Sequence, residues 1–115
     1  MRIVDESKIQ EKEHVSRWLI GPWNSESKLD FGVAFFQPDQ QVKKHVHEKV
    51  EEIFYVIEGE IILLLDKDQK FVLKKGQVAY IPPKQGHALQ NRSRKIAKLV
   101  IVKSPSIPTN KTYLI

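Results

Sequence analysis

Cysteine is absent from this 115-residue chain. Its absence excludes disulfides, thiolate metal sites and cysteine nucleophiles, and it fits a reducing compartment. Long apolar runs are missing as well. The longest, Ile61 to Leu65, is five residues, whereas a helix spanning a bilayer needs about 20. The first segment, MRIVDESKIQEKEH, is polar and acidic and lacks the apolar stretch of a secretory signal. The expected location is the cytoplasm. Helical periodicity is scarce: only residues 5–14, DESKIQEKEH, hold helix formers, with Asp5 or Ser7 placed to cap them and almost no apolar stripe.

Charge of one sign is not concentrated anywhere. The net charge is +5 and the pI about 9.5, which raises the question of nucleic acid. The basic residues nevertheless come singly or in pairs (Lys43-Lys44, Lys74-Lys75, Arg92, Arg94-Lys95), with acids between them. That is the pattern of a solvated, mildly basic surface. Neither a nucleic-acid nor a membrane partner is expected.

The chain does contain many short runs of β-branched and aromatic residues, separated by turn compositions such as QPDQQ, DKDQ, KKGQ and PPKQG. They predict strands over 18–20, 29–37, 44–47, 52–57, 60–66, 70–73, 78–81, 88–91 and 96–103. Short, evenly spaced strands with almost no helix predict an all-β sandwich or barrel. The length suits one domain burying roughly two-thirds of its unfolded surface. The expected core barrel covers about 28–103, with 1–27 and the proline-bearing tail 104–115 packing on it or on a partner. Two strands are apolar on both faces: Phe54 and Val56 alternate with Ile53, Tyr55 and Ile57, and Ile61 to Leu65 is aliphatic throughout. A lone antiparallel barrel leaves one face wet. A second layer is therefore expected, and a second copy of the chain is the favoured one, giving a homodimer.

Two of the four histidines, His45 and His47, lie one residue apart in HVHEKVEE. On a strand they share a face, which brings two imidazoles within reach of one ion. Such a pair taken alone is more often a surface or core feature. Glu52 follows a short connection, so a strand starting there can face the same point; Glu51 does so if the connection is one residue shorter. A later stretch, GQVAYIPPKQGHALQN, adds His87 just after a rigid double proline, with Leu89 and Asn91 on its face. Three imidazoles and a carboxylate suit one divalent transition metal per chain: Mn, Fe, Ni, Co or Zn. His14 lies in a charged segment and reads as a surface residue, Asn91 as a structural hydrogen-bonder, and Gly59 and Gly76 as turn glycines. Trp18, Trp23, Phe35, Phe54 and Tyr80 read as core or interface before pocket.

Two motifs carry a resemblance. One is HxH, four residues, Glu, six residues, Gly, met by His45, His47, Glu52 and Gly59. The other is Gly, five residues, Pro, four residues, His, three residues, Asn, met by Gly76, Pro82, His87 and Asn91. On both, the chain resembles the cupins. It departs from them twice: the glycine expected ahead of HxH is missing, and Lys84 stands where the second motif has glycine, with Gly86 expected to supply the backbone freedom. The resemblance implies a double-stranded β-helix, or jelly-roll, barrel with the metal in its mouth, commonly in a dimer. It implies either a metalloenzyme acting on a small oxygen-rich molecule (a dioxygenase, decarboxylase, isomerase or lyase) or a small-ligand binding or sensing module without chemistry.

Overall fold

Alternation of side chains is what organises the molecule. In Glu51–Glu58 the residues Glu52, Phe54 and Val56 are buried, while their neighbours point outward. Ala97–Ser104 repeats the pattern with Ala97, Leu99 and Ile101 inside. Strands with one apolar face must close that face against another layer, and the chain does so with two sheets. The structure, a computed structural model, describes residues 1–10 and 14–107, and the backbone of 112–113.

The strands are β1 (Ser16–Ile20), β2 (Asp30–Phe36), β3 (Gln41–Val46), β4 (Glu51–Glu58), β5 (Glu60–Leu65), β6 (Lys70–Lys74), β7 (Val78–Ile81), β8 (His87–Gln90), β9 (Ala97–Ser104) and β10 (Thr112–Tyr113). One antiparallel sheet runs β1-β2-β9-β4-β7 and the other β10-β3-β8-β5-β6. This is the expected jelly-roll barrel. Between the sheets Phe36, Phe54, Val56, Ile61 and Leu99 are almost wholly buried, each stabilising by about 1.5–3 kcal/mol. No described helix is long and apolar enough to cross a membrane.

Consecutive strands β4 and β5 lie in different sheets, so the chain must turn a sharp corner between them. Gly59 makes it, at φ +75, and a Cβ there would come within 2.5 Å of the Ile96 carbonyl oxygen. At the same end of the barrel the buried side chain of Asn91 ties three segments together. Its amide donates to the carbonyls of Phe36 (2.9 Å) and Lys95 (2.8 Å), and its oxygen accepts from the Ser93 backbone (3.0 Å) and hydroxyl (2.8 Å). The structural role expected for Asn91 is the observed one.

Two expectations about local structure change. The N-terminal helix shrinks to a single 3-10 turn, Glu6–Lys8, capped by Asp5; without an apolar stripe there is no packing to extend it, and residues 11–13 lie outside the described residues. β3 begins at Gln41 instead of Lys44, because a bulge between Val42 and His45 carries the strand through. The tail is attached through backbone pairing, Thr112 opposite Val46 and Tyr113 opposite His45. That pairing occupies the β3 edge, where backbone donors and acceptors otherwise meet only water.

Replacing Asn91 by alanine strips partners from two buried carbonyls at once. The expected cost is about 2–4 kcal/mol in urea unfolding; a loss below about 1 kcal/mol would contradict this account.

Candidate metal centre

His45 faces inward because of the β3 bulge. In the ladder with β8, Val42 stands opposite Leu89 and His45 opposite His87, three residues matched against two. The extra residue re-aims the strand, so that Val42 and His45 both turn to the interior although they are three positions apart, which on a regular strand would put them on opposite faces. His47 follows just past the end of β3. His87 is the first residue of β8, delivered by the Pro82–Gln85 turn. All three imidazoles thus come from one sheet, and Glu52 on β4 reaches them from the other.

The four side chains are buried. Their candidate donor atoms lie within 4.8 Å of one another, and an ion bound at about 2.1 Å holds its donors about 3–4 Å apart. Glu52 Oε1 is 2.6 Å from His47 Nε2, 3.1 Å from His87 Nε2 and 4.0 Å from His45 Nε2. The Nδ1 of His45 lies 2.8 Å from the Lys43 carbonyl oxygen, and that of His87 3.0 Å from the Gln85 carbonyl oxygen. A carbonyl only accepts, so each Nδ1 carries the proton and each Nε2 is left aimed at the centre, as a metal-ligating imidazole requires. Burial would push the Glu52 carboxyl up. Its hydrogen bonds to His47 and His87, and their charge, outweigh burial and hold it well below the usual carboxylate range. The carboxylate therefore stays ionised. The donor set fits a divalent transition metal in atom type, spacing and charge.

Glu51 points the other way. Its Oε2 accepts a 2.7 Å hydrogen bond from the hydroxyl of Tyr80 on the outer face, so Glu52 is the acid that joins the histidines. His14 is exposed, as expected, but stands at the rim of the central cavity with Nε2 3.0 Å from the Gln41 carbonyl oxygen. The turn before His87 departs from expectation: Lys84, not Gly86, adopts the left-handed conformation, at φ +71, and its N–H donates to the His47 carbonyl at 2.7 Å. That hydrogen bond ties the HxH segment to the turn and holds Lys84 in a shape its side chain disfavours.

A cavity of about 1070 Å³ opens beside the four residues. Trp18, Phe36, Val42, Phe54, Leu89 and Ile101 form its apolar wall, and Lys103 contributes a cation. Of the aromatics singled out in the sequence, Trp18 and Phe54 line this cavity. Phe35 lies under the cations of Arg17 and Lys98, and Trp23 and Tyr80 are largely exposed. Sequence reading missed Val42 and Lys103. The bulge that turns Val42 inward leaves no periodic trace, whereas Lys103 is detectable only through its register with Glu52 on β4.

The family model described as the cupin domain matches residues 32–103, a span that holds all four converging side chains. The chain belongs to the cupin family. Among curated relatives, an uncharacterised protein, MJ1618, of Methanocaldococcus jannaschii is 35% identical over 71 residues, 62% of this chain and 56% of that protein. Polyketide synthase CurC of Streptomyces cyaneus is 32% identical over 77 residues, 67% of this chain and 49% of that protein. This cupin therefore spans about half the length of these two relatives. Among solved structures, the polyketide cyclase RemF of Streptomyces resistomycificus superposes with a TM-score of 0.84 at 18% identity, covering 100% of this chain and 86% of that one. A predicted oxalate decarboxylase of Thermotoga maritima superposes at 0.77 with 19% identity, covering 89% and 97%. At such identities the structural likeness speaks for the cupin fold alone.

Lys84→Gly removes the Cβ strain from the turn. It is expected to raise stability by about 0.5–1 kcal/mol in urea unfolding; a loss of stability would mean that Lys84 is not held in the left-handed region.

Proposed function

We propose that this cupin is a metalloenzyme that holds one divalent transition metal ion per chain on His45, His47, Glu52 and His87 and acts on an oxygen-rich organic molecule. The observation that carries this reading is the convergence of three buried imidazoles and an ionised carboxylate within 4.8 Å. When bound, such an ion polarises a carbonyl or acidifies water, and iron or manganese also activates dioxygen. The chain's own part is to set the donors. The carbonyls of Lys43 and Gln85 fix two ring orientations, Glu52 supplies the negative charge, and the apolar wall keeps bulk water from the inner end of the cavity. Four protein donors leave up to two positions open on an octahedral ion. Two proteins of like fold are named a polyketide cyclase and a predicted oxalate decarboxylase, and both names concern oxygen-rich substrates. The reaction type is within the range of dioxygenase, decarboxylase, isomerase or lyase.

A second reading, a ligand-binding or sensing module without chemistry, is favoured by one observation. Among the described residues, the carboxylates lining the cavity are Glu52, already among the donors, and Asp68, so no further carboxylic acid from them stands beside the centre.

Purified protein is expected to carry about one equivalent of transition metal per chain by elemental analysis. His47→Ala should lose most of it, and also lose the rise in melting temperature that added metal gives the parent. Unchanged metal content in the variant would refute the site.

We also propose that the outer face of the β1-β2-β9-β4-β7 sheet packs against the same face of a second copy. On that face Val100, Tyr55 and Val78 stand in one cross-strand row and Val102, Ile53 and Tyr80 in the next. Tyr55 is 42% exposed, Val78 61% and Tyr80 56%, which makes a contiguous apolar patch of a kind that marks an interface. A two-fold axis through these rows sets like against like, the self-complementary arrangement of a symmetric dimer. Light scattering after size exclusion should report a dimer, and Tyr55→Lys with Val78→Lys a monomer; a monomeric parent would sink the idea.

A further inference from the structure

Three charged side chains stand in one cross-strand row on the inner face of the β1-β2-β9-β4-β7 sheet. Asp30 on β2 is opposite Lys103 on β9, and Lys103 is opposite Glu52 on β4. Residues opposite one another share a face, with Cβ atoms about 5 Å apart. One ammonium group is thus placed between two carboxylates, of which only Glu52 belongs to the four-residue centre. The other, Asp30, is 7% exposed, and its Oδ1 is buried with no hydrogen-bond donor among the described residues. A carboxylate so deeply placed without donors is costly, and a cation beside it offsets that cost.

An ammonium next to Glu52 is a rival of the metal. It carries charge of the same sign as the ion, and an ion pair with it would turn the carboxylate away from the histidines. The structure shows Lys103 drawn the other way. Its ammonium nitrogen lies 4.5 Å from the centre of the Trp18 ring, and Trp18 is on β1, on the side of β9 away from β4. Gly32, the partner of Trp18 on β2, makes this reach possible. A Cβ at Gly32 would fall 2.7 Å from Cε3 of the indole, so the ring lies against bare backbone and extends across β2 toward β9. Asp30 is two residues before Gly32, on the same face. Ring quadrupole and carboxylate charge therefore attract the ammonium to one side of the row. On the other side Glu52 Oε1 keeps to His47 at 2.6 Å and His87 at 3.1 Å.

We infer that Asp30 and Trp18 are positioning residues for the metal centre: they hold the Lys103 ammonium on the β1–β2 side of the sheet and so keep an internal cation off Glu52. The inference rests on the reading of the centre as a metal site and adds to it two residues outside the donor set. Without them the lysine swings toward Glu52 and competes with the ion for its carboxylate.

Titration of the full chain with manganese against a competing chelator, in the parent and in a Lys103→Met background, tests it. Asp30→Asn keeps the shape and removes the charge. It is expected to weaken manganese binding roughly tenfold in the parent and by less than about twofold in the methionine background, where no ammonium is left to hold back. Loss of a nearby negative charge acting on the ion directly would weaken binding equally in both. Trp18→Leu changes no charge and should weaken binding in the same Lys103-dependent way; it carries the test if Asp30→Asn does not fold. Parental affinity in the folded single variants, or equal losses with and without Lys103, would overturn the inference and leave the metal reading in place. A parent that takes up no manganese would overturn the metal reading, and this inference with it.

Discussion

One buried carboxylate organises this molecule. Glu52 is 5% exposed, and an ionised group so placed is costly unless it is fully compensated. Compensation comes from the opposite sheet: two of three imidazoles lie within 3.1 Å of one carboxylate oxygen. The sheets must therefore approach closely at this end of the barrel and in a fixed register. A one-residue slip of β4 would turn Glu52 to solvent and place Glu51 or Ile53 at the centre. The core residues Phe54 and Val56 lie on the face of Glu52, so the same slip would expose them too. The packing of the barrel and the geometry of the centre thus depend on one alternation.

The histidines are held by backbone more than by side chains. A bulge turns β3 so that His45 faces inward, a hydrogen bond from Lys84 to the His47 carbonyl joins the end of β3 to the turn before β8, and direct pairing sets His45 opposite His87. Two of the three rings are then locked by carbonyls two residues earlier in their own segments, Lys43 for His45 and Gln85 for His87. The same i to i−2 contact thus occurs on two separate strands. It is local, so each segment brings its ring to the ladder already oriented, and forming the centre requires only that the two sheets close.

How much of this could be read beforehand follows from the range of each interaction. Alternation is a property of neighbouring residues, so the shared face of His45 and His47, the inward run Glu52, Phe54, Val56, and the strand pattern were all legible. The turn glycine at 59 was legible because the left-handed conformation selects for it. Lys84 was not, because there the surrounding contacts impose the conformation against the residue's own preference. The bulge at Val42 was hidden for a related reason: it breaks the period on which reading depends. The choice between Glu51 and Glu52 turned on a single residue in a connection, and the outward hydrogen bond from Tyr80 to Glu51, formed across two strands, is invisible to sequence. The cavity is a long-range property of both sheets, and no local pattern announces it.

That cavity has an energetic consequence for the fold. A barrel of this size has one core, and interiors are normally packed with few voids larger than a water molecule. Here Trp18 and Val42 are only partly buried and pack on the edge of the core while facing open volume. Apolar surface left against water forfeits about 25 cal/mol per Å² relative to burial, so the unfilled barrel is less stable than its composition would allow. A ligand that covers those walls recovers the difference on binding. An ion among the four donors does the same for the charge of Glu52. Folding and binding would therefore be coupled through the same residues: the apolar wall on one side and the Glu52 carboxylate, facing an ion, on the other.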